Sequence, residues 1–358
     1  MTTPLEQNPI WQQDNVTLHS VGIDIGSSGT QVAFSRLLLR RLGKELTSRY
    51  SVVRRDTLFQ SPVRLTPYTD DRRIDGEGIG DIVGAAYQAA RRHPDDIDTG
   101  VVILTGEALR RDNAERIAHV LSAHGGDFVC ASAGHNMEAM LAAYGSGAAR
   151  VSHDLGARVL NVDIGGGTTK FGVVDNGRVV ATSAMQVGGR LHVVDGDGRL
   201  VRQDPAGQRH ASRAGFSWSL GDPVTPTEMD HVADLMGDAL VAAINRRPLP
   251  DAVRRLFLTD PIEELGLLDG VMFSGGVGEY VYGREARDFG DLGRRLGSAV
   301  SHHIRAGALP ARLLPAGECI RATVLGASQY SVQLSGRTSY FSDPRVVLPR
   351  RNLQVVSP

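Results

Sequence analysis

Apolar residues along this chain come in short β-branched runs that end on small, polar turns, and one such pattern occurs twice. Val21-Gly22-Ile23-Asp24-Ile25-Gly26-Ser27-Ser28-Gly29-Thr30 and Leu160-Asn161-Val162-Asp163-Ile164-Gly165-Gly166-Gly167-Thr168-Thr169 each pass through Asp-Ile-Gly, cross a turn of small residues and reach a threonine. A second apolar run follows each, Gln31 to Phe34 and Lys170 to Val174. Both stretches read as β-hairpins with turns built from Gly and Ser. Their offset of 139 residues, from Asp24 to Asp163, predicts a chain made of two related halves.

Between and after the copies the pattern alternates. Ile79, Ile82, Val83, Ala86, Tyr87 and Ala90 recur at helical spacing, as do Ile117, Val120 and Leu121 within Asn113 to Ala123. Val101 to Leu104, Phe128 to Cys130 and Val271 to Phe273 read as strands. Asp175-Asn176-Gly177 is a turn feeding a strand over Val179 to Met185. Helices are expected from a Thr227 cap to about Ile244, over Leu292 to Ile304 and over Thr323 to Val332. The alternation predicts an α/β fold, each half a sheet flanked by helices. The halves are expected at 18–150 and 151–341, with inserted subdomains at about 37–69 and 186–225. A polar tail at 1–17 and an irregular one at 342–358 flank them.

Composition narrows the function. A length of 358 residues suits two domains, and 41% hydrophobic with 22% charged residues suits a soluble globular protein. A net charge of −1 and 5% aromatic residues argue against nucleic acid as a partner. No apolar run approaches membrane-spanning length, and the N-terminus lacks a signal-peptide pattern. The two cysteines, Cys130 and Cys319, make no disulfide framework, so a reducing cytoplasm is expected.

The paired turns carry the chemistry. With Gly26, Gly29, Gly165, Gly166 and Gly167 bare and Ser27 and Ser28 small, successive backbone N–H groups can converge on phosphate oxygens. Asp24 and Asp163 precede the turns, and two carboxylates acting mainly through water suit Mg²⁺. Thr30, Thr168 and Thr169 offer hydroxyl donors. No GxxxxGK[ST] loop is present, and Gly275-Gly276-Val277-Gly278 lacks dinucleotide-fingerprint spacing.

Together these segments resemble the actin, Hsp70 and sugar-kinase superfamily. Its two phosphate motifs match Gly22–Thr30 and Asp163–Thr169, and its adenosine motif matches Val271–Glu279. Its two connecting helices match Ala133–Gly147 and Val324–Ser328. The resemblance implies a two-lobed actin-like ATPase fold, duplicated ribonuclease H-like domains with a nucleotide cleft between the lobes. It assigns Gly275, Gly276, Gly278 and Glu279 to the nucleotide. Within the superfamily the wording is similar to the ethanolamine ammonia-lyase reactivating factors, in Gln60–Val63, Ser132–Asn136, Asn161–Lys170 and Phe273–Tyr280 as well as the first hairpin. That implies an ATP- and Mg²⁺-dependent, chaperone-like factor whose partner is ethanolamine ammonia-lyase, releasing damaged cobalamin so that intact coenzyme rebinds. Cytoplasmic placement follows, with enclosure in a bacterial microcompartment left open.

Asn136 falls where Hsp70-like proteins carry a catalytic Glu. It lacks a basic carboxylate and can only orient water, so hydrolysis is expected to be slow. Glu107 is a second acidic candidate, weighed against a plain surface residue. A small-molecule kinase and an actin-like cytoskeletal or cell-division ATPase are the competing readings. His302-His303 do not share a helical face, and Asp195-Gly196-Asp197-Gly198 lacks the later ligands of a Ca²⁺ loop and reads as a turn. The Arg-bearing stretch Arg36 to Arg55 reads as a solvated face, and Phe216 and Trp218 as buried.

Overall fold

Alternation along β1 (Asn15–Ile25) decides how the first half is layered. Val21, Ile23 and Ile25 enter one core with Val32, Phe34, Ile79, Val83, Tyr87, Val102 and Leu104, while Gly22 and Asp24 turn to the opposite face. β1 pairs antiparallel with β2 (Gly29–Arg41), and β2 antiparallel with β3 (Tyr50–Gln60). Short strands β4 (Arg64–Leu65), β5 (Tyr68–Asp70) and β6 (Arg73–Ile74) follow. Helix α1 (Gly76–Ala90), capped by the Asp75 carboxylate, covers the outer core. β7 (Thr99–Leu104) then pairs in parallel with β1, and β8 (Phe128–Ser132) in parallel with β7. The strand order is β3-β2-β1-β7-β8.

This computed structural model describes residues 11, 15–26, 29–41, 50–70, 73–104, 128–132, 134–245, 248–315 and 317–335. The helix expected over 113–123, Glu107, Ser27, Ser28 and both tails beyond those limits lie outside the described residues.

The second half repeats the plan. After helices α2 (His135–Gly145) and α3 (Ala148–Leu155), strands β9 (Arg158–Ile164), β10 (Thr169–Asp175) and β11 (Arg178–Met185) form an antiparallel meander. β12 (His192–Val194), β13 (Leu200–Gln203), α4 (Pro205–Arg213), α5 (Pro226–Asn245) and α6 (Asp251–Arg254) intervene before β14 (Gly270–Ser274) pairs in parallel with β9. The order β11-β10-β9-β14 thus mirrors the first sheet. After α7 (Gly275–Val281), helix α8 (Gly293–Arg305) joins α5 in covering the outer core of Leu160, Val162, Ile164 and Phe273. The last described helix is α9 (Ala322–Ser335).

The two connecting helices exchange sheets. α2 leaves the first half and lies on β9, β10 and β11; α9 leaves the second half and lies on β1, β2 and β7. They also pack on each other, backbone to backbone. A Cβ on Gly145 would stand 1.8 Å from the Ala322 carbonyl oxygen, and one on Gly326 would stand 2.1 Å from that of Leu141. A further lock is aromatic. Tyr144 of α2 stacks on Tyr330 of α9 at 4.4 Å, and the Arg55 guanidinium of β3 lies 4.4 Å over the Tyr330 ring.

Several expectations change in detail. Much of the described part of segment 37–69 is built into the first sheet, because β2 runs to Arg41 and β3 (Tyr50–Gln60) pairs along it. Arg55 is therefore packed on tyrosine instead of solvated, whereas Arg36 and Arg54 pair with Asp56. Thr227 is not the cap of α5. The Thr225 hydroxyl accepts from Glu228 N–H at 3.3 Å while the Glu228 carboxylate accepts from Thr225 N–H at 2.8 Å, a reciprocal capping box with Pro226 inside it. Asp195 spends its carboxylate on the N–H groups of Asp197 and Arg199, holding the β12–β13 turn.

Gly326→Ala should destabilise the protein by about 1–3 kcal/mol in urea unfolding, since overpacking outweighs alanine's better helix propensity of about 1 kcal/mol. The region between β11 and α5 should also be acid-sensitive. His210 of α4 bonds the Gln186 carbonyl at 2.7 Å, and its burial lowers its pKa from 6.5 to about 4. The unfolded chain then takes up the proton first, so this stability is present above pH 6.5 and lost towards pH 4. Urea midpoints measured across that window should fall for the wild type, and His210→Gln should remove up to about 3 kcal/mol of the fall.

Candidate functional site

Each hairpin head is closed by the same bond. Gly26 N–H donates to the Gly29 carbonyl at 2.9 Å, and Gly165 N–H to the Thr168 carbonyl at 3.0 Å. Gly166 and Gly167 are thereby left outside the strand ladder. The second turn is braced from behind, where Gly189 N–H donates to Gly165 O and Arg190 N–H to Gly166 O. The adenosine-motif segment is pressed onto the same turn. Gly275 has φ +79°, and a Cβ there would stand 2.3 Å from Ile164 O, so glycine alone fits.

Register sets what faces each aspartate. Across the first hairpin Asp24 opposes Gln31; across the second, Asp163 opposes Lys170. Gln31 and Lys170 are the same position in the two copies, seven residues past the aspartate. Gln31 Nε2 donates to the Ile320 carbonyl at 3.0 Å, at the entry to α9, and Glu279 of α7 accepts from Ile320 N–H at 3.1 Å. Lys170 instead forms an ion pair with Glu138 in the first turn of α2. Each hairpin thus sends one side chain to the start of the connecting helix on its own sheet.

The charges around Lys170 are dense and buried. Glu138 is 1% exposed, Asp163 5%, Lys170 8% and Asp24 9%. Burial alone would lower the Lys170 pKa, but the carboxylates of Glu138, Asp163 and Asp24 outweigh it and hold the ammonium above its ordinary value. Burial pushes Asp163 upward, against the opposing pull of Lys170 and of the Ser274 hydroxyl, which donates to Oδ1 at 2.7 Å. Behind it Asn161 Nδ2 donates to Ser274 Oγ at 3.1 Å, and Ser146 Oγ, at the C-terminal cap of α2, donates to Asn161 Oδ1 at 3.1 Å. The helix is therefore tied to this network at both ends.

The threonines divide. Thr169 donates its hydroxyl to the Val187 carbonyl at 2.8 Å. Thr30 bonds Thr66, which donates to Gly26 O at 2.6 Å. Among the described residues, no internal hydrogen bond occupies the Thr168 hydroxyl. Gly276, Gly278 and Glu279 lie on α7, and Asn136 lies exposed in the first turn of α2. Glu138 and Lys170 escaped the sequence reading, although antiparallel register sets the residue seven past Asp163 beside it. Burial pushes the Cys319 thiol up to about 12, which leaves it inert at neutral pH.

Among the described residues no three His, Cys, Asp or Glu side chains form a metal cage. Two buried aspartates beside bare turns fit magnesium carried in by phosphates and water, the arrangement this ion favours. A surface groove of about 640 Å³ beside Arg213, Asp238, Asn245 and His303 involves none of these residues.

Two matching sheets, each a meander continued by a parallel strand, with exchanged connecting helices and an Asp-led glycine turn in each half, define a duplicated, ribonuclease H-like fold of the actin-like class. The family model described as ethanolamine utilisation protein EutA matches residues 16–358, and the chain belongs to that family. Relatives called ethanolamine ammonia-lyase reactivase EutA are 37% identical in Salmonella typhimurium and 35% in Escherichia coli. Each alignment spans 351 residues, 95% of this chain and 73% of the relative. Among solved structures, the Ppx/GppA family member of Aquifex aeolicus is similar at 11% identity and a TM-score of 0.49, covering 90% of this chain and 100% of the other.

Because Thr169 satisfies a buried carbonyl, Thr169→Ala should cost about 1–3 kcal/mol in urea unfolding, whereas Thr168→Ala should leave stability unchanged.

Proposed function

We propose that this chain is a nucleotide-dependent reactivating factor for ethanolamine ammonia-lyase, binding ATP with Mg²⁺ between its two hairpin turns. The observation that carries the nucleotide reading is the pair of identically closed turns, each led by a buried aspartate whose charge reaches the same Lys170 ammonium. Backbone N–H groups of Gly165 to Gly167 and the Thr168 hydroxyl would meet phosphate oxygens on one side, and the Gly26–Thr30 turn on the other. Asp24 and Asp163 would hold magnesium through water, and the ion would offset phosphate charge. Gly275, Gly276, Gly278 and Glu279 would line the nucleoside side.

The lyase enters through family membership, since the relatives are called ethanolamine ammonia-lyase reactivases. Nucleotide states would favour different separations of the two halves, and that separation would set affinity for the lyase. A kinase needs an unencumbered carboxylate base beside the acceptor hydroxyl. Glu138, the buried carboxylate of α2, is neutralised by Lys170, and Asn136 has none. Both features favour slow hydrolysis over phosphoryl transfer to a small molecule.

Calorimetric titration with ATP and Mg²⁺ should give saturable binding, weakened about tenfold or more by Asp24→Ala and by Asp163→Ala and several-fold by Thr168→Ala. Wild type should restore cyanocobalamin-inactivated ethanolamine ammonia-lyase only when ATP is present, at a steady-state hydrolysis rate well below that of a metabolic kinase. Absence of ATP binding would reject the nucleotide reading. ATP binding without recovery of the lyase would reject the partner.

A further inference from the structure

The second hairpin places a fixed cation beside one of the two buried aspartates. Lys170 stands directly across the strand pair from Asp163, and its ammonium is ion-paired to Glu138. The same ammonium feels the Asp24 carboxylate of the first half. One carboxylate, Glu138 of α2, thus pairs with the buried lysine, and those of Asp163 on β9 and Asp24 on β1 act on it electrostatically. Its counterpart in the first copy, Gln31, is neutral and spent on a backbone carbonyl. Turn geometry does not demand the charge, because the first turn closes through the same bond without it.

We propose that Lys170 is a tethered cation that excludes bare divalent metal from the space between Asp24 and Asp163, so that magnesium is admitted only together with nucleotide phosphates. The inference rests on the nucleotide reading above and concerns what that site refuses. A free divalent ion approaching the two aspartates meets an ammonium already neutralising part of their charge and repelling a like charge. A metal–nucleotide complex brings phosphate oxygens as well, so the ammonium faces net negative charge and the repulsion turns to attraction. Lys170 thereby positions the metal by exclusion; it is not itself a ligand. The protein would be shielded from metal-loaded, nucleotide-free states at millimolar magnesium.

The test uses Mn²⁺ as a spectroscopic stand-in, with the full chain free of nucleotide. Electron paramagnetic resonance reads the loss of the free Mn²⁺ signal as protein binds the ion. Wild type and Lys170→Arg, which keeps the cation, should leave the signal nearly intact. Lys170→Met should bind Mn²⁺ about tenfold more tightly or better. Because Lys170→Met strands Glu138 as a buried charge, the double variant Lys170→Met/Glu138→Gln removes the whole pair and should fold while still binding Mn²⁺ more tightly than wild type. Fluorescent ADP titration runs alongside on every protein. If nucleotide binding persists in wild type but the double variant gains no affinity for Mn²⁺, whatever Lys170→Met alone does, the proposal is wrong and the nucleotide site stands. If Lys170→Arg gains affinity as Lys170→Met does, charge is not the cause and the proposal is equally wrong. If wild type binds no nucleotide, the reading beneath it fails whatever manganese does.

Discussion

The contact on which the architecture rests is the backbone-to-backbone crossing of α2 and α9. Each helix belongs by sequence to one half and by packing to the other, so the two sheets are joined through this crossing as well as by chain connectivity. Gly145 and Gly326 make it possible, because any side chain there would occupy the opposing carbonyl. The closeness has a geometric result. With the helices in direct contact and each lying on a sheet, the inner faces of the sheets, which carry Asp24 and Asp163, are brought near enough to share the charge of Lys170.

Burying four ionisable groups is not a stabilising choice in itself. Desolvation of Asp163, Glu138 and Lys170 opposes their mutual attraction, and a well-packed apolar cluster would hold α2 to its sheet at least as firmly. The charges are tolerated because each has partners: Lys170 for Glu138, and Ser274 backed by Asn161 and Ser146 for Asp163. Such satisfied networks fix one arrangement out of several similar ones. The network meets α2 at its first turn and again at its cap, so the connecting helix is held at both ends to the surroundings of Asp163.

Much of this was legible in the residues. The duplicated Asp-Ile-Gly hairpins, the helix over Ile79 to Ala90 and the strand at 271–273 follow from periodicity and turn chemistry, which are local. The errors have local causes too. Thr227 looks like a cap until Thr225 and Glu228 are seen to bond reciprocally around Pro226. The Arg-bearing stretch looks solvated because nothing in its own sequence announces Tyr330, which lies 275 residues beyond Arg55 in the chain. Glu138 and Lys170 were hidden for a related reason. A charged residue inside a strand or a helical turn reads as surface until tertiary packing closes over it, and only their pairing across β10 and α2 reveals otherwise.

The two halves follow one path but are fastened differently where they meet the connecting helices. At the first, an amide reaches a carbonyl, a joint whose strength depends on distance and angle and hardly on the neighbouring charge. At the second, an ammonium reaches a carboxylate, a joint whose strength changes whenever ionic company arrives or departs. The frame is close to symmetric, and the residue seven past each aspartate gives it a polarity: one shoulder is set by shape, the other by electrical balance.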